Sequence, residues 1–236
     1  QWQKDRPLID YRGLFQWRYL LGIAMYFFGY FMAGTSGFLL PIFFKEGLGL
    51  PLATTALILS FSLFGSVAAA LLHAAAASRR PRPRLFMLSG LALYAIACLG
   101  FSQAGRLSDW HLLLLPALIC GIAIPCFIGP VAFGTFVELQ PKVFSHGYQV
   151  KNIVRQLGIS SSIALSTVAL QFFYARRLAV LPEGFHPDWA QALHGLSGAS
   201  AGLVSPLTLA SGDVFVLLAL CTLPMALIII AQRTFR

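Results

Sequence analysis

The sequence predicts an all-α membrane protein of six transmembrane helices built as two three-helix repeats, and three observations carry that reading. Only 11% of the 236 residues are charged while 58% are hydrophobic, against about 25% charged residues in soluble domains. The apolar residues form long uncharged blocks rather than following the helical or strand periodicity of a soluble core. The basic residues gather in alternate connections, as they do in a chain that crosses a bilayer repeatedly.

A span needs roughly 20 apolar residues, and six candidates lie at 19–44, 52–77, 85–102, 110–137, 150–174 and 214–231. All lack Asp, Glu, Lys and Arg except the fifth, which carries Lys151 and Arg155 in its opening turns. In lipid, helices associate through small residues and weak polar contacts, so Gly, Ser, Thr and Tyr mark interior faces. The first span holds Tyr26, Gly29, Tyr30, Gly34, Ser36 and Gly37, and the second holds Ser60, Ser62, Gly65 and Ser66. The third, mostly Leu and Ala, is expected to face lipid.

The fourth span contains Gly121, Pro125, Gly129, Pro130 and Gly134. Proline removes a backbone donor and kinks a helix, so this density fits either a flexing helix beside a substrate path or a packed helix with a fixed kink. The fifth is the most polar, with Asn152, Gln156, Ser160, Ser161, Ser162, Ser166, Thr167 and Gln171. The sixth returns to Leu, Ala and Ile and is expected to be peripheral like the third. Two inward helices and one lipid-facing helix per triplet is the repeat architecture of transporter halves, here one membrane domain over 1–236 with an extended outer loop at 176–212.

The net charge of +9 is spread along the chain and forms no nucleic-acid patch. Thirteen of the 17 basic residues fall on one side of the six-span topology, leaving only Lys45, Arg106, Arg176 and Arg177 on the other. The positive-inside rule therefore places both termini in the cytoplasm. The four arginines of the 78–84 turn are expected to anchor the inner face and meet anionic lipid. Cys98, Cys120, Cys126 and Cys221 all lie within spans without ligand-like spacing, and no cofactor motif is present. The chain opens on a polar run without an initiating Met or a secretory signal, and reads as a piece of a longer chain.

Four features carry chemistry. Lys151 and Arg155, four apart, share a helix face. Lys151 is expected to snorkel to the headgroups, while Arg155, deeper in the span, either anchors likewise or meets an acid or substrate. Tyr26 and Tyr30 form an aromatic face at mid-span, fit for stacking on an amphipathic compound. Asp213 is expected to cap the sixth helix. The string Gly34-Thr35-Ser36-Gly37 invites comparison with an intramembrane serine protease, but such a nucleophile needs a base within hydrogen-bond reach. His73 is expected roughly 15–20 Å away in depth from Ser36, so helix packing is the better reading.

The run His146-Gly147-Tyr148-Gln149-Val150-Lys151-Asn152-Ile153-Val154-Arg155-Gln156-Leu157-Gly158 resembles the penultimate-helix signature of the fourteen-helix drug/proton antiporter branch of the major facilitator superfamily. Asn152, Arg155, Gln156, Leu157 and Gly158 match, and Ile159 and Ser162 replace two glycines. The lead-in Pro7-Leu8-Ile9-Asp10-Tyr11-Arg12, the helix exit at Leu40-Pro41-Ile42-Phe43-Phe44, and Gly212-Asp213-Val214-Phe215 before the last span are similar to the same branch. The turn at 78–84 departs from it, having no acid beside its arginines.

The resemblance implies the C-terminal six-helix half of a proton-coupled multidrug exporter in a bacterial inner membrane, working by alternating access. Substrate contacts are then expected from Tyr26, Tyr30, Ser62, Pro125, Gly129, Asn152, Arg155, Gln156 and Ser162. The implied partners are the missing N-terminal half, a small amphipathic substrate, protons, membrane lipid and a periplasmic adaptor at the 176–212 loop. No Asp or Glu lies within the six expected spans, so the proton carrier is expected in the missing half. The alternative is a self-contained six-helix channel or membrane scaffold.

Overall fold

A computed structural model describes residues 16–77, 83–104, 109–137, 139, 141–179 and 205–232. Six helices account for almost all of them: α1 (Trp17–Ile42), α2 (Leu52–Ala77), α3 (Pro83–Ser102), α4 (Leu114–Gly134), α5 (Pro141–Ala179) and α6 (Pro206–Ala231). All six are long and apolar enough to cross a membrane. Because a bilayer supplies no water to the backbone, a helix that satisfies its own hydrogen bonds is the form such segments can take.

Helix ends follow local chemistry that hydropathy does not register. Pro41 has no N–H to give the helix, and the last turn of α1 widens into a π turn over Phe43–Gly47. The expected limits of the second span coincide with α2. The fifth span, expected at 150–174, is only the middle of α5, whose 39 residues extend about 58 Å against a hydrocarbon core of about 30 Å. Polar residues beyond the apolar stretch continue a helix without difficulty.

α6 begins at Pro206, eight residues before the expected start of the sixth span. Ser205 caps it, its hydroxyl accepting from the Thr208 N–H at 3.1 Å, with proline at the first position. The expectation that Asp213 caps this helix is therefore corrected. Asp213 lies two turns inside α6 and takes both guanidinium donors of Arg177 on α5, at 2.9 and 2.7 Å. It also places a carboxylate within the last span, which the sequence-based limits had left free of acid.

α4 is the hub, packing along α2 and α3 and touching α1; α1 packs along α5, and α6 closes against α3 and α5. Two of these seams depend on missing side chains. A Cβ on Gly121 would collide with the Ser62 carbonyl oxygen, so α2 and α4 meet backbone to backbone. A Cβ on Gly34 would stand 3.1 Å from the Ile159 Cα, and one on Gly158 2.9 Å from the Phe27 carbonyl oxygen, which brings α1 and α5 together from both sides. Close approach substitutes here for the water-driven burial that lipid does not provide.

The expectation that α3 and α6 are the peripheral members is not what burial shows. Within their apolar windows 39% and 33% of residues are buried, against 22% for both α2 and α5. Leucine-rich composition fails as a guide because the bundle interior and the lipid are equally apolar.

The end of the bundle holding Gly47, Ser102 and Pro206 is filled by Phe43, Phe44, Phe101 and Phe215, whose ring centroids lie 5.2–6.4 Å apart, mostly edge to face. The opposite end, holding Arg18, Arg84 and Lys151, is basic. There Arg84 donates to the Ile229 carbonyl at 2.9 Å and to the Ile230 carbonyl, closing the C-terminus of α6.

Candidate functional site

Towards the basic end, α1 and α5 together build a cluster of rings and cations. Tyr26 and Tyr30, one turn apart on α1, lie with ring centroids 4.7 Å apart, and the Tyr26 hydroxyl donates to that of Tyr30 at 3.3 Å. From α5 the Lys151 ammonium sits 5.0 Å from the Tyr26 centroid, 5.0 Å from Tyr148 and 5.4 Å from Phe136. Three ring faces thus share one cation, an arrangement that holds it in place without a counter-charge.

The frame around the cluster is fixed by backbone acceptors. The Tyr19 hydroxyl donates to the Gly147 carbonyl at 2.9 Å, tying α1 to the first turns of α5. Arg18 Nε donates to the Gly134 carbonyl at the end of α4, at 3.2 Å. Beyond Lys151, the close approach at Gly158 holds α5 beside Tyr30.

Arg155 lies one turn further along α5, on the helix face that carries Lys151. Its Nε is buried and has no hydrogen-bond partner among the described residues. Among the described residues the carboxylates are Glu46, Asp109 and Asp213, all towards the phenylalanine end, where Glu46 lies 3.3 Å from Lys45 and Asp213 is paired with Arg177. Glu138 lies outside the described residues.

A second feature runs along the surface of α5. Gln149, Gln156, Ser160 and Gln171 are exposed on one face of this apolar helix, with Asn152 half-buried beside them. Nearby hydroxyls bond back to their own helix, Ser161 to Leu157 at 2.6 Å and Thr167 to Ile163 at 2.8 Å. The amides of Gln149, Asn152, Gln156 and Gln171 have no partner among the described residues. Beside this stripe, Leu157, Leu165, Val168 and Phe172 are also exposed, so the outward surface of α5 divides into a polar and an apolar half.

The expected substrate-contact residues therefore separate into groups. Tyr26, Tyr30 and Arg155 come together, and Asn152 and Gln156 follow on the adjoining face of α5. Ser162 is fully buried in the α1–α5 seam, packed on Gly34. Ser62 and Gly129 belong to the α2–α4 crossing, where Ser62 faces Gly121 and Gly129 lies under the His73 ring. Pro125 is half-buried in α4, which runs unbroken through Pro125 and Pro130. α2 and α5 do not pack on one another, so the two groups lie on separate helix seams.

Two members of the cluster were not singled out from sequence. Tyr148 stands three residues before Lys151, a spacing that puts both on one helix face and could have identified it. Phe136 arrives from the end of α4 and has no such local signal. The Ser36 hydroxyl lies 3.1 Å from that of Tyr94 and 3.7 Å from Cys120 Sγ, while His73 packs on Phe86 and Phe133. Among the described residues no group of His, Cys, Asp or Glu is placed to hold a metal ion. No protein-family model matches this sequence, and no curated protein matches it.

Proposed function

We propose that this chain is the C-terminal half of a secondary active transporter of the major facilitator type, in the drug/proton antiporter branch. It exports an amphipathic compound by alternating access from a bacterial inner membrane, with both termini in the cytoplasm. The observation that carries the reading is the amide stripe of α5. Side-chain amides with no partner are costly against hydrocarbon and are tolerated where protein or a water-filled path covers them. A second six-helix unit facing α5 and α2, the two least covered helices, would provide both.

The packing order supports two repeats. α1 pairs with α5 and α4 with α2, so each first helix lies along the second helix of the other triplet. In this reading the Tyr26–Tyr30–Arg155 cluster and Gln156 line this half's share of the substrate path. The proton carrier lies in the other half, with Asp213 the one described carboxylate that α6 carries into a span. A periplasmic adaptor would engage the connection between α5 and α6, which lies outside the described residues over 180–204.

The test is transport by the complete gene product in proteoliposomes under an imposed pH gradient, combined with thiol labelling of Gln156→Cys. A half-transporter gives gradient-driven substrate movement and labelling that changes when substrate is added. Gradient-independent ion flux through symmetric copies would instead establish a channel.

A further inference from the structure

We propose that Tyr26, Tyr30, Lys151 and Arg155 form a seat for one anionic group, a carboxylate, sulfonate or phosphate, carried on an apolar or aromatic body. The proposal rests on the transport reading for its purpose, since it names the substrate class of that same site, but the binding it claims is separable from transport.

Charge on the page leads to this ligand. Lys151 and Arg155 stand four apart on one helix, where like charges repel, and among the described residues nothing acidic stands between them. The ring contacts of Lys151 steady its charge without neutralising it. Arg155 keeps a buried Nε without a partner among the described residues, and a guanidinium is a planar fork suited to bidentate carboxylate or phosphate. A single anion between the two would relieve the repulsion and satisfy that orphan donor.

The surroundings specify the rest of the ligand. The Tyr30 hydroxyl, which accepts from that of Tyr26, keeps its own proton as a neutral donor beside the cations. Tyr148 is about half exposed and Tyr30 partly so, so the seat opens at its edge onto ring faces that would take an apolar body. Arg155 lies 14 residues into α5, roughly 21 Å from its start, and Tyr30 is deep in α1, so the seat lies among the helices towards the basic end of the bundle. A cationic amphiphile, the natural guest of an acid-lined cavity, meets two like charges here and no acid among the described residues.

The anion could be a dissolved compound or a lipid headgroup, and one experiment separates them. The full chain is placed in phosphatidylcholine nanodiscs, and binding of naphthoate, naphthamide and naphthylmethylammonium is measured by equilibrium dialysis. The expected result is naphthoate binding at least about tenfold tighter than either analogue, reduced about tenfold in Arg155→Gln, a change of one decade in Kd. Arg155→Lys should retain part of the affinity and Tyr30→Phe most of it.

Adding phosphatidylglycerol to the discs decides the source. Competition with naphthoate identifies a headgroup as an occupant, and its absence identifies a dissolved anion; either result keeps the seat. Equal affinity for the three probes, or full affinity in Arg155→Gln, overturns it. So does a chain that binds neither naphthoate nor phosphatidylglycerol, which would leave a protein carboxylate as the partner of Arg155. Should the glutamine variant not fold, unchanged affinity in both Lys151→Gln and Arg155→Lys, Tyr30→Phe overturns it as well. Gradient-driven export of neutral compounds without anion binding would sink the seat and spare the transport reading; anion binding without export would do the reverse.

Discussion

The two ends of the bundle solve the problem of charge in opposite ways. At the phenylalanine end Phe43, Phe44, Phe101 and Phe215 are almost fully buried against one another, and the charged groups near them are paired, although the buried Thr55 and Ser211 hydroxyls have no partner among the described residues. Ser205 and Thr208 hydroxyls donate to the Gly47 carbonyl at 2.9 and 2.6 Å, and Arg177 holds Asp213. At the basic end Arg18 and Arg84 rest on carbonyl oxygens, Lys151 on rings, and Arg155 leaves a buried donor open. A paired charge fixes geometry, whereas a cation without a counter-charge among the described residues keeps free energy in reserve for whatever supplies one.

The comparison can be tested by substitution, beginning where the effect should be greatest. Phe101→Ala removes a ring that touches three others, and should destabilise the bundle by about 3 kcal/mol, since the cavity cost persists in lipid even though the water-transfer part is lost. Thermal unfolding in detergent, read against the parent chain, checks it. A shift too small to resolve would mean that the phenylalanine end is not the rigid one.

Gly158→Leu forces bulk between α5 and the α1 backbone near Tyr30, and overpacking of this kind costs about 1–3 kcal/mol. Its distinguishing mark should be a loss of the Tyr30–α5 proximity, followed by cysteine cross-linking between positions 30 and 158 neighbours, with the phenylalanine end unchanged. Arg177→Ala removes an ion pair that is partly exposed, 42% and 29% on its two side chains, and should cost less than about 1 kcal/mol, diminishing with added salt. Smallest of all, Arg155→Gln should leave thermal stability within about 0.5 kcal/mol of the parent or raise it, because it removes like-charge repulsion and no salt bridge. A large loss of stability there would reveal a structural partner and erase the contrast between the ends.

Much of the fold was legible in the sequence for a simple physical reason. Uncharged runs long enough for a bilayer leave the backbone little choice but helix, so six spans followed from counting, and the limits of α2 followed with them. The Tyr26–Tyr30 and Lys151–Arg155 pairs were legible too, since a spacing of four fixes a shared face. The start of α6 is written in Ser205-Pro206, a cap and a first-turn proline that lie ahead of the apolar run and that hydropathy does not register.

The sequence alone thus determined that the chain is helical, membrane-spanning and poor in acids relative to bases. Only the tertiary structure decided which helices are covered, that Ser162 and Ser62 serve seams between helices, that Phe136 joins Lys151, and that Arg155 Nε has no partner among the described residues. Those outcomes turn on how two helices approach each other, and in a bundle whose interior is as apolar as its surroundings, the approach is set by where a glycine lets two backbones meet and not by hydrophobicity read along a line.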